Sequence, residues 1–140
     1  MSFTNDFEID ILDAQIKGAD LYCGLSSTTP TETGSNVTEH TIGSQAYARV
    51  RLGASGVVWS AATTNGSGNG QSVNSADITF PEATGDWLSA ANVTHAVLFN
   101  HATGTATSNV MAFGALTTAK PVLNGDTAKI AASALIITLE

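Results

Sequence analysis

The sequence predicts an all-β fold: an antiparallel β-sandwich of about eight strands, jelly-roll-like, with a short N-terminal helix. Three observations carry this expectation. Apolar residues recur at period two in short runs, the spacing of a strand with one buried face. Gly, Pro and Asn-Gly signals interrupt those runs at turn-length intervals. Only 12% of residues are charged against 43% hydrophobic, and Gly, Ala, Thr, Ser and Asn are abundant, which suits short strands and tight turns. A chain of 140 residues is expected to form one domain, 1–140, and is long enough to bury a real core.

The N-terminal arm, residues 1–18, holds the one helical pattern. Thr4 or Asn5 caps it, Asp6 and Glu8 suit the positive end of the helix dipole, and Gly18 follows Lys17 as a stop. Phe3, Phe7 and Ile11 fall at helical spacing, so they are expected to be buried, either on the body of the fold or on a partner subunit. Next, Leu21, Cys23 and Leu25 alternate with Tyr22 and Gly24 as a first, half-buried strand. The lone Cys23 reads as a small core hydrophobe.

From 26 to 45 the chain is mostly Ser, Thr, Gly, Asn and Glu, a long surface loop of the kind that carries contacts. Within it Thr31, Glu32, Val37, Glu39 and His40 join Phe3, Phe7 and Ile11 as candidate partner contacts. Over 46–52 the alternation predicts Ala46, Ala48, Val50 and Leu52 inward, with Tyr47, Arg49 and Arg51 outward. Val57, Trp59 and Ala61 give a further short inward face. The Gly-rich stretch 65–70 lacks the Lys-Ser/Thr ending and following helix of a phosphate loop, and reads as a hairpin tip.

Residues 77–100 are the most informative. Ile78 and Phe80 alternate with Asp77 and Thr79, Pro81 is expected to end that ladder, Gly85 permits a reversal, and Trp87 is expected to plug the core. Over 93–99 neither face is clearly wet, which predicts a central strand bearing His95. After the turn 101–104, residues 110–116 are apolar on both faces. Asn124-Gly125-Asp126 makes a tight turn, and short inward faces at Ala128 and Ile130 and at Leu135, Ile137 and Leu139 complete the chain.

Charge and motif narrow the function classes. The formal net charge is −7 with only five basic residues, so no cationic patch exists to neutralise a row of phosphates, and nucleic-acid binding is not expected. No apolar run spans a bilayer and no signal peptide is apparent, which leads to an expectation of manufacture in a host cytoplasm without membrane attachment. His40, His95 and His101 have no Cys, Asp or Glu at metal-ligand or triad spacing. Glu82 and Asp86 read as solvated turn charges. No catalytic, cofactor-binding or metal residues are assigned, and no cofactor or enzyme activity is expected.

Taken together, the Phe-Pro-x-Ala-Thr-Gly-x-Trp segment, the His-bearing strand, the Asn-His-Ala-Thr-Gly turn, the Gly-x-Leu strand and the late Asn-Gly-Asp turn resemble a family of small tailed-bacteriophage virion proteins. Pro81, Gly85, Trp87, His95, Gly125 and Asp126 carry the shared motifs. Such proteins are commonly described as head-decoration (cement) or tail-fibre proteins. The resemblance implies a virion structural protein on the capsid surface that binds the major capsid protein, reinforces contacts between its subunits and acts as a homodimer or homotrimer. The alternative it implies is a tail-fibre or tail-tip module with receptor-binding, carbohydrate-binding capacity.

Overall fold

The computed structural model describes residues 3–139. In chain order these form α1 (Asn5–Leu12), a π-helical turn (Asp13–Lys17), β1 (Asp20–Ser26), β2 (Val50–Gly53), β3 (Thr63–Thr64), β4 (Gly70–Val73) and β5 (Ile78–Glu82). After a short helical turn (Trp87–Ala90) come β6 (Val93–Phe99), another turn (Thr107–Asn109), β7 (Val110–Lys120), β8 (Thr127–Ile130) and β9 (Ile136–Thr138). The expected all-β class is met: nine strands among the described residues, in antiparallel sheets, with one short N-terminal helix. These elements gather into two compact units, each discontinuous in sequence.

The first unit contains the N-terminal segment to Asp20, Arg51–Ile78 and the chain from Lys129. Its sheet runs β3-β4-β9, and α1 packs mainly on β4. The helix is turned by about one residue, roughly 100°, from the expected orientation. Glu8 and Leu12 are buried, while Phe3 and Phe7 are 56% and 49% exposed and Ile11 is half-buried. Phe3 and Phe7 therefore do not pack on the body of the fold. The cause is a backbone donor: the Gly70 N–H points at α1, and the Glu8 carboxylate accepts it at 2.6 Å. A Cβ on Gly70 would lie 2.7 Å from that of Glu8, so this approach requires glycine. Asn74, also buried, bonds to Ala76, Ala131 and Leu135 and so fastens the last segment to β4.

The second unit contains Leu21–Val50 and Thr79–Ala128. Here β1, β6 and β7 lie side by side, with Gly24 opposite Val97 and Val97 opposite Phe113. β6 is central, as expected, and Ala96 to Phe99 are buried on both faces. β5 and β8 form a separate ladder. Between these layers Tyr47 accepts a hydrogen bond from the Leu25 N–H at 2.9 Å and stacks on Phe80, giving a sandwich-like core. Pro81 does not end its strand but lies within β5, which pairs on one side only and so tolerates a missing donor.

The alternation expected over 46–52 is inverted from 46 to 49 and holds at its end, where Arg51 is exposed and Leu52 buried. Tyr47 and Arg49 are buried and Ala46 and Ala48 exposed, and no strand begins before Val50. Gln45 and Ala46 both have positive φ, 42° and 61°, so the chain turns sharply just before Tyr47 and resets which side chains face the core.

Candidate functional site

Arg49 organises one side of the second unit. Its side chain is 1% exposed, and its guanidinium spends its donors on three partners. Nε donates to Glu39 at 2.9 Å and one terminal nitrogen donates to the same carboxylate at 2.6 Å, a forked pair. The other terminal nitrogen donates to the carbonyls of His101 and Gly104 at 2.7 and 3.0 Å. The cation also lies 3.3 Å over the Phe99 ring. Tyr47 completes the set by donating its hydroxyl to Glu39 at 2.7 Å.

Gly24 makes room for this network: a Cβ there would sit 2.5 Å from a Glu39 oxygen and 2.9 Å from the Phe99 ring. A buried charge pair is costly to desolvate unless its hydrogen bonds are filled, and here nearly all are. One ion pair thus ties together β1, β6, the 26–45 loop and the 101–104 turn.

The environment shifts the neighbouring acids. Burial pushes the Cys23 thiol up to about 12, with Glu39 adding in the same direction. Burial, then the Glu39 charge, raises the Tyr47 phenol well above its ordinary value. Both groups are held neutral, so Cys23 is inert as a nucleophile.

Beside Arg49 opens a cleft of about 510 Å³ lined in part by Val37, Glu39, His40, Thr103, Thr105 and Val110. His40 forms one wall. Its Nδ1 accepts the Leu88 N–H at 2.9 Å, which assigns the ring proton to Nε2, a buried atom with no hydrogen-bond partner among the described residues. The ring stacks on Trp87 and meets Tyr47 edge-on.

Trp87 anchors the opposite side of this aromatic cluster. It is 1% exposed, and its indole N–H donates to the Gln45 carbonyl at 2.9 Å. The three residues after it, Leu88, Ser89 and Ala90, all have left-handed φ values near 53–62°. Such backbone is costly for non-glycine residues and persists because Trp87, His40 and Val122 fix it. The Asn124-Gly125-Asp126 turn closes on this region. Gly125, at φ 86°, donates to Ala83, Ala83 donates back to Asp126, and Asn124 donates to Asp86.

The motif residues Pro81, Gly85, Trp87, Gly125 and Asp126 therefore belong to one end of the second unit. Gly85 serves close approach rather than positive φ, since a Cβ would lie 2.6 Å from Gln45. His95 stands apart on β6, bonded to the Thr94 hydroxyl at 2.8 Å. Of the candidate contacts, Glu39 and His40 are consumed inside the unit and Val37 is half-buried. Thr31 and Glu32 are exposed on a turn that Thr31, Thr33 and Ser35 stitch together. Sequence reasoning missed Tyr47, Arg49 and Gly24; the available signal was Arg49 following Glu39 with no Asp, Glu, Lys or Arg between them. Among the described residues no group of three or more His, Cys, Asp or Glu is placed to hold a metal ion.

What this geometry builds is a clamp: the Arg49–Glu39 pair fixes the 26–45 loop and the 101–104 turn. The class it defines is an all-β module whose loops are pinned by a buried ion pair. A family model described as podophage GP4 fiber I protein gp80 (Gp80) matches residues 7–138, and the chain belongs to that family. The search of curated proteins returned no match. No helix among the described residues is long and apolar enough to cross a membrane.

Proposed function

We propose that this chain is a non-enzymatic structural module of a phage tail fibre. The observation that carries the reading is the match to a fibre-protein family over residues 7–138. The geometry supports it. Arg49, Glu39, Tyr47 and the Nδ1 of His40 are spent on holding the 26–45 loop and the Trp87 turn in place. Apolar side chains more than a third exposed, among them Phe3 and Phe7 in the first unit and Met111 and Leu123 in the second, give each unit groups suited to protein contacts.

Phage particles assembled without this chain test the reading. They should keep heads that resist osmotic shock as well as wild-type heads do, and should lose fibres and host adsorption. Fragile heads on particles with normal fibres would contradict it. That result would favour the head-surface reading, in which the chain binds the major capsid protein as cement.

A further inference from the structure

We infer that β7 is a self-association edge, pairing antiparallel with β7 of a second copy of this chain across a two-fold axis. β7 is the longest strand, eleven residues, and its ladder runs to β6 on one side only. The backbone groups on its other side have no strand partner among the described residues. The ladder is regular from Ala112 to Ala115, between register shifts at Met111 and over 116–119, and the open edge of that segment is a template for another strand.

Natural proteins blunt such edges with charge, proline or cover. In the same unit the edge of β5 carries Pro81 and Glu82. From Val110 to Ala119 β7 has neither charge nor proline. It is also uncovered: Met111, a bulge residue, is 50% exposed, and a Cβ on Gly114 would meet nothing within 4 Å. Between its two bulges the edge carries no charge, proline or cover, whereas the β5 edge carries both charge and proline.

Charge identifies the occupant. Each copy carries a formal −7, so most surfaces of two copies would oppose carboxylates. The stretch from Trp87 to Gly125, which contains the whole β6–β7 hairpin, has no Asp or Glu and only one formal charge, Lys120. Antiparallel pairing centred near Phe113 keeps the two Lys120 side chains at opposite ends of the interface. It joins the β1-β6-β7 arrays of the two copies into one continuous sheet, an isologous contact that closes on itself. This does not depend on where the chain sits in the virion.

Sedimentation equilibrium of the full chain tests it. The expected mass is twice the 14.3-kDa chain, with amides of residues 111–115 gaining protection from hydrogen exchange as concentration rises. Met111→Lys/Gly114→Lys places charges in open space, so the fold should keep its melting temperature. Opposed lysines should nevertheless weaken association at least about 100-fold, although the net charge falls from −7 to −5 by two added positives and general repulsion drops. Phe3→Ser/Phe7→Ser should leave the dimer intact. A monomer at every concentration overturns the inference, as does association that survives the two lysines. Association lost only in the phenylalanine variant would also overturn it, assigning the contact to α1.

Discussion

Arg49 and Glu39 show how much of this molecule hangs on single groups. Each satisfies the other in a nearly dry site, so removing one leaves a buried charge without compensation. Arg49→Ala should cost about 3–5 kcal/mol in urea unfolding. Arg49→Met should also destabilise, adding Glu39→Gln should recover part of that loss, and strict additivity of these two single changes would show that the residues do not act as a pair. Cys23 gives a pH signature. Its thiol ionises only near 12 when folded but at its ordinary 9.0 when unfolded, so this stabilisation is complete below about pH 9 and is lost as pH rises toward 12. Tyr47 is raised by the same cause and acts in the same direction. The urea midpoint should therefore fall above pH 9, and Cys23→Ala should flatten part of the decline. Acid should matter less through Asp20 and Asp77. Arg51 and Lys129 hold these carboxyls below the usual range, but both pairs are solvent-exposed.

Trp87 matters through the turn it holds. Its ring packs with His40, Tyr47 and Phe80 while its backbone N–H bonds to Val122 at the head of the left-handed run. Trp87→Ala should cost roughly 3–5 kcal/mol and an unchanged unfolding midpoint would place the indole outside the core. The strands most legible in sequence were those whose periodicity ran uninterrupted: Ile78 and Phe80 in β5, and the two-sided apolar run of β6. Residues 46–49 were illegible because two left-handed residues at 45 and 46, neither of them glycine, shift the phase of the alternation, which regains the expected phase by Arg51 and Leu52. α1 was legible as a helix but not in its orientation. Its position follows from a Gly70 N–H far along the chain, which no local spacing reveals. The Arg49 centre was hidden for the same reason: Glu39, His101 and Gly104 meet it only in three dimensions.

The whole chain combines two compact units, an acidic surface and one carboxylate-free hairpin, and it belongs to a phage fibre-protein family. That combination suits a part built to assemble. The sequence alone reached the all-β class and a virion structural role, but composition and turn chemistry are shared by head and tail components, so location on the particle was beyond their reach. Gold-labelled antibody against this chain, imaged on intact virions, tests the fibre reading most directly. Label along the tail fibres, with bare heads, is the expected result; label spread over the head surface and absent from the fibres would contradict it.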